Sequence, residues 1–350
     1  MTLIGFIHYR KNPEGLRKAY AFATVAKAEG AELLFFSPGA VDFENKKING
    51  YIYENGKWIK VRSDFPGVIC NITGLSKDNQ NKIADRLREE IPFTSNSIGS
   101  KMTVFKNLTK YKKFSDYLIP TEEIESAEHF FNFAGKYKNI VFKPSMGCQG
   151  TGVYFIEKKN AGSYETMSGG NKIIYDFAGM SEFILNKINE DEYLAQPYIN
   201  CRTKDGNPYD FRLHAQKNIR GEWVSVRIYP RISLNDSIVC NLSSDGYTTG
   251  LTTFLKQEFG NEYYDVKRYL EAFSVQFAGH MNEIQRELYE EELDELGIDV
   301  GLDENGRICL YEVNWRPGYP PSVDCDLNAV KNIIHYSMYL AKKNMKKSIM

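Results

Sequence analysis

Asp299, Glu312 and Asn314 offer hard oxygen donors on either side of Asn305-Gly306, the strongest short-range signal for a tight hairpin turn. Counting back from a two-residue loop, Glu304 faces Arg307, Leu302 faces Cys309, Val300 faces Tyr311 and Asp299 faces Glu312. Side chains opposed across a sheet stand about 4.5–5.5 Å apart at Cβ, and like charges there repel. Such a pair needs a cation or a shared proton. Asn314 falls on the same strand face as Glu312. The set therefore suits a magnesium ion completed by water and nucleotide phosphates. A solvated hairpin carrying ordinary surface acids is the plainer alternative.

Two further segments carry groups for anion chemistry. Lys143 ends the apolar run Ile140-Val141-Phe142 and enters the glycine-rich stretch Pro144 to Gly152, which holds Ser145, Gly147, Gln149, Gly150 and Gly152. A second apolar run, Val153 to Ile156, follows directly. Strand, loop, strand excludes a P-loop or a dinucleotide turn, both of which open a helix. Here a lysine at the strand end reaches a phosphate as a point charge while loop N–H groups cover phosphoryl oxygens. Asp210 and Arg212 share one strand face, and a turn near Ile219-Arg220 brings Arg227 opposite Arg212. Paired guanidinium groups repel unless an anion sits between them, and a carboxylate or acyl phosphate fits there. A surface salt-bridge ladder would need no function.

The elements that position these groups follow from periodicity. A strand over 3–8, a helix over 14–29 closed by Gly30, and a strand over 31–36 open the chain as β-α-β. Residues 48–61 alternate around Asn55-Gly56 as a hairpin, and 67–71 form another short strand. Helical patterns run over 101–117, 263–296 and 327–343, with strands over 193–199, 211–217 and 223–229 and a hairpin over 298–313. These divide the chain into an α/β unit at 1–98, a lid-bearing unit at 99–192 and a metal-bearing unit at 193–350.

Bulk composition narrows the classes. In 350 residues, with a net charge of −1, there is no basic surplus for nucleic acid, and no apolar run spans a bilayer. The start shows no export signal. The scattered cysteines Cys70, Cys148, Cys201, Cys240, Cys309 and Cys325 include no Cys-x-x-Cys pair and point to free thiols in a reducing cytoplasm. Oligomeric state is not written in the composition.

Taken in order, several stretches resemble the YheC/YheD-type, endospore coat-associated family of the ATP-grasp superfamily. They are Gly50-Tyr51 with Trp58, Ile91-Pro92-Phe93, Lys101 with Leu118-Ile119-Pro120-Thr121, and Phe142-Lys143-Pro144. Gln196-Pro197-Tyr198-Ile199, Asp210-Phe211-Arg212 with Gln216-Lys217, Cys240-Asn241-Leu242, and Gly297-Ile298-Asp299 through Glu312 to Gly318 complete the set. The Asp299, Glu312, Asn314 spacing is also similar to that of D-alanine–D-alanine ligase and ribosomal-protein glutamate ligase. The resemblance implies two α+β subdomains gripping ATP behind an N-terminal α/β pre-grasp domain. It implies that Lys101 and Lys143 contact phosphates, that 145–152 is a mobile lid, and that 195–198, with Gln196, Pro197 and Tyr198, lies beside adenine. By the same likeness Asp299, Glu312 and Asn314 hold one or two magnesium ions, with manganese an admissible substitute. Arg212 and Arg227 then hold the phosphoryl group or substrate carboxylate, and Asp210 and Asn241 line the substrate site. Many such ligases carry Arg where this chain has Gly297, so that charge must come from elsewhere, with Arg212 and Arg227 as candidates. Ser243-Ser244-Asp245-Gly246 also departs from the glycines that relatives often have there.

The activity this implies is joining a carboxylate (amino acid, peptide or protein tail) to an amine through an acyl phosphate. A phosphotransferase that releases the phosphorylated product, and a non-catalytic spore-associated protein, remain alternatives.

Overall fold

The computed structural model describes residues 1–75, 77–145, 151–159, 162–233, 246–318 and 326–347. The first sheet contains β1 (Thr2–Ile7), β2 (Ala31–Phe36), β3 (Val41–Asp42), β4 (Lys47–Glu54), β5 (Lys57–Asp64) and β6 (Val68–Cys70). Their order is β3-β4-β2-β1-β6 with β5 on β4, and β1 is parallel to both β2 and β6. Alternation along β1 sends Ile4 and Phe6 toward α1 (Arg17–Ala28) and Ile7 toward α2 (Asp78–Arg88), so the sheet is wound on both faces. Asn55 and Gly56 take φ of 50° and 80°, and Glu54 pairs with Lys57, the expected two-residue turn.

After α3 (Lys101–Tyr111), the second sheet is built from β7 (Glu122–Glu123), β8 (Asn139–Pro144), β9 (Tyr154–Lys158), β10 (Tyr164–Ser168), β11 (Asn171–Tyr175) and β12 (Tyr193–Pro197). It runs antiparallel in the order β11-β10-β9-β8-β12-β7, with α4 (Ala127–Lys136) and α5 (Phe177–Glu190) against one face. The third sheet, also antiparallel, holds β13 (Tyr209–Lys217), β14 (Trp223–Ser233), β15 (Gly246–Thr248), β16 (Glu295–Leu302) and β17 (Ile308–Asn314) in the order β15-β14-β13-β16-β17. Phe211, Leu213, Ile298 and Val300 face α6 (Leu251–Phe259) and α7 (Tyr263–Tyr289); the opposite face carries polar residues.

Two expected helices are shorter than their periodicity suggests. The expected helix over 101–117 stops at Tyr111, where Lys112 turns left-handed with φ 58°. The expected helix over 263–296 stops at Tyr289, because Glu290 is left-handed and the apolar residues from 295 onward pair as β16. Packing also crosses the expected segment order. Val104 and Leu108 of α3 join the core of the third sheet. Val330, Ile333 and Ile334 of the last helix, α8 (Leu327–Lys347), join the core under the first sheet. Cys70, Cys201 and Cys309 are buried free thiols, and the other three cysteines lie outside the described residues.

The first and third sheets are joined through a buried acid. The Ser95 N–H donates to Asp294 Oδ1 at 2.6 Å, just before β16, and burial pushes the Asp294 carboxyl up to about 7. A carboxyl that holds its proton more tightly folded than unfolded costs stability as pH rises from its ordinary 3.8 to about 7. Asp294→Asn keeps an oxygen for the Ser95 N–H and removes that titration. Denaturation at about pH 5 and about pH 7.5 is expected to show the variant gaining on wild type by roughly 1–3 kcal/mol; parallel pH slopes would contradict this.

Candidate functional site

The polar face of the third sheet arranges its charged residues in rows. β13 pairs with β14, β16 with β13 and β17 with β16 so that Tyr229, Arg212, Asp299 and Glu312 stand in register across four strands. The neighbouring row is Arg227, His214, Gly297 and Asn314. Adjacent strands are about 4.8 Å apart. Asp299 and Glu312 are therefore cross-strand neighbours, as the spacing predicts.

The register reaches that pairing by another route. Near the loop Leu302 pairs with Ile308 and Val300 with Leu310, one residue off the two-residue count, because the turn closes through Asp303 N–H to the Arg307 carbonyl. A β-bulge at Tyr311 then restores Asp299 to Glu312. In the β13–β14 hairpin the same two effects add. Lys217 pairs with Trp223, a bulge follows between His214 and Ala215, and Arg212 meets Tyr229 where Arg227 was expected. Arg227 stands opposite His214, and its Nε lies 3.0 Å from Asp326 Oδ2.

The arginine that joins Arg212 is Arg231, which the spacing argument did not single out. Arg212 donates both Nε and Nη2 to Asp299, the latter at 2.9 Å. Arg231 donates Nε and Nη2 to Asp210 at 2.6 and 2.7 Å, and its Nη2 lies 3.2 Å from Asp299 Oδ2. Burial alone would disfavour the Asp299 charge; Arg212 and Arg231 override it and hold the carboxyl below its ordinary range. Alternation two residues past Tyr229 would have placed Arg231 on this face had the bulge been foreseen. Gly297 makes the arrangement possible: an added Cβ would lie 2.5 Å from Pro317 Cβ and 3.2 Å from Arg212 Nη1. The guanidinium thus crosses the space a side chain at position 297 would fill.

Two lysines arrive from other elements. Lys101 opens α3, whose Ser100 cap accepts the Thr103 N–H, and its Nζ lies 3.8 Å from Glu312 Oε1. Lys143 sits on β8, and burial together with Lys101 pushes its ammonium down to about 8 against the pull of Glu312 and Asp299. A cavity between the sheets is lined by Lys101, Lys143, Gln196 and Glu312, with apolar walls that include Leu118, Leu194 and Leu310. Gln196 donates to Thr121 Oγ1 at 2.7 Å, Pro197 ends β12, and the Tyr198 ring meets Phe155 edge-on.

The roots of the glycine-rich stretch are fixed. Ser145 bonds Glu192 through both its N–H and its hydroxyl, and Gly152, at φ 74°, passes too close to Pro144 and Tyr193 for any side chain. Gly147, Gln149, Gly150 and Asn241 lie outside the described residues.

Among the described residues no group of three or more His, Cys, Asp or Glu side chains is placed to hold a metal ion. Glu312, with the Lys101 ammonium 3.8 Å away, and Asn314, on the same strand face, are by type hard oxygen donors of the kind magnesium takes. Asp299 stands next to them with guanidinium groups in the cationic role. No helix among the described residues is long and apolar enough to cross a membrane.

The chain resembles known proteins over most of its length. The chain is similar to the endospore coat-associated protein YheD of Bacillus subtilis, 25% identical over 336 residues that cover 91% of this chain and 73% of that one. Its fold is similar to that of a RiPP-associated ATP-grasp ligase of Chryseobacterium gregarium solved with ADP and a leader and core peptide, with a TM-score of 0.53, 12% identity, and coverage of 98% of this chain and 97% of that one. The D-alanine-D-alanine ligase of Coxiella burnetii matches with a TM-score of 0.52 at 9% identity, over 99% and 98% of the two chains. The fold is thus ATP-grasp. Residues 90–340 match the family model for YheC/D like ATP-grasp, and the chain belongs to that family.

Proposed function

We propose that this chain is an ATP- and magnesium-dependent ligase that joins a carboxylate to an amine through an acyl phosphate. The observation that carries this reading is the convergence of Lys101, Lys143, Arg212 and Arg231 on the Asp299–Glu312 pair beside one cavity. A carboxylate is a poor electrophile at neutral pH, so it must first be phosphorylated. Lys101 and Lys143 neutralise phosphate charge, and the apolar cavity walls beside Gln196 receive the base. Asp299 aims Arg212, and Asp210 aims Arg231, at oxygens that gain charge as the carboxylate attacks the γ-phosphorus. The amine then displaces phosphate. Glu312 and Asn314 would hold magnesium, joined by Asp299, and the ion would supply charge stabilisation on the transferred phosphoryl oxygens.

Glu312→Gln is expected to abolish metal-dependent ADP production while changing unfolding free energy by less than about 1 kcal/mol, since Glu312 makes one loose lysine contact. Undiminished turnover in that variant would refute the assignment. Lys143→Ala is expected to weaken ATP binding by about 1.5–3 kcal/mol. Because Lys143 gives up its proton near 8, wild-type affinity should fall as pH climbs past that value, and the variant should lack that fall. Matching pH profiles in calorimetric titrations would count against a phosphate contact. Mass spectrometry of the product, amide or stable phosphate ester, separates ligase from phosphotransferase.

A further inference from the structure

The two acids that meet across β16 and β17 stand in unlike surroundings. Asp299 is enclosed. Arg212 donates to both of its oxygens from β13, and Arg231 Nη2 lies 3.2 Å from Oδ2 on the side of β14. Two residues further on the same face of β16 stands Gly301, and the Tyr311 hydroxyl fills the space a side chain there would take. The Asp299 side chain is 7% exposed, against 28% for Glu312. The cavity between the sheets touches Glu312 and Tyr311 but not Asp299. Glu312 is the one carboxylate among the described residues that line it.

The charges at the enclosed end are already matched. Arg231 donates Nε and Nη2 to Asp210, and Arg212 grips Asp299 in the same two-pronged way. Two acids thus face two guanidinium groups, which keep their charge at any working pH and hold carboxylates in a fixed fork. A divalent ion brought to Asp299 would lie beside both cations, and one of them would have to leave. Arg231 cannot leave without stranding Asp210, whose side chain is 11% exposed, as an unpaired buried charge. The Arg212 guanidinium fills the space above Gly297. Paired ions in two-metal sites stand about 3.5–4 Å apart and need anionic oxygens for each. What this row leaves open is one carboxylate, Glu312, and the amide oxygen of Asn314 on the same strand face. That set suffices for one magnesium completed by phosphate oxygens and water.

We propose that this chain takes one divalent ion with its nucleotide, and that the guanidinium groups of Arg212 and Arg231 supply the positive charge a second ion would bring. Arg231, anchored on Asp210, fixes that count. The proposal rests on the ligase reading for the nucleotide and the ion, and settles a number that reading leaves open.

The test dialyses the full chain to equilibrium against manganese and a saturating non-hydrolysable imido analogue of ATP. Metal analysis then counts ions per bound nucleotide, and electron paramagnetic resonance reports whether they are isolated or spin-coupled. The wild-type chain is expected to hold one ion per nucleotide, with the spectrum of an isolated ion. Arg231→Met is expected to take a second ion coupled to the first, and Arg231→Lys to stay at one. Two ions per nucleotide in the wild-type chain would overturn the proposal and leave the ligase reading standing. So would an Arg231→Met chain, folded by circular dichroism, that still takes one. If that variant unfolds, the wild-type count decides alone. Nucleotide bound with no ion would overturn the proposal together with the metal-dependent ligase reading. One ion with no amide product formed from ATP would uphold the count and sink the ligase reading instead.

Discussion

Two carboxylates on adjacent strands repel, and the third sheet answers with cations brought from four separate elements. Asp299 and Glu312 meet across β16 and β17. Arg212 comes from β13, Arg231 from β14, Lys101 from the start of α3, and Lys143 from β8 in the second sheet. Each cation pair would be unfavourable without the acids, and the acids unfavourable without the cations. Balance is achieved at Asp299, which two guanidinium groups hold ionised. It is incomplete at Glu312 and Lys143, where one contact is long and the ammonium is pushed toward neutrality. The unbalanced end of the row faces the cavity, which is where the proposed nucleotide and its counter-ion would gain most.

Much of this was legible in the chain. Alternation and turn chemistry placed the strands, and the glycine-rich stretch between two strands excluded helix-opening phosphate loops. What failed to transfer was register, because a β-bulge leaves no mark in binary patterning. At Tyr311 the bulge cancelled an error in the turn, and Asp299 met Glu312 as expected. Between His214 and Ala215 it added to one, moving Arg227 off Arg212 and leaving Arg231 unnoticed. The expected helix ends failed for a related reason, since left-handed Lys112 and Glu290 are ordinary helix formers by composition. Tertiary packing, which put α8 under the first sheet and α3 into the core of the third, lies beyond local patterning altogether.

Gly297 shows how a departure from a familiar pattern becomes a structural statement. A side chain there would collide with Pro317 and the Arg212 guanidinium, so the missing arginine and the placement of Arg212 are one feature. That same contact brings the 315–318 segment down beside the site and sends Arg316 toward the first sheet. The reacting row and the α/β edge are thus linked by one short stretch of chain.

Calorimetric titration of ATP into the full chain, with magnesium and with chelator, tests directly whether the acidic pair and its cations receive a nucleotide together with a divalent ion. The prediction is saturable binding that magnesium tightens by about tenfold or more. Binding that is absent, or of equal strength with and without the ion, would contradict it.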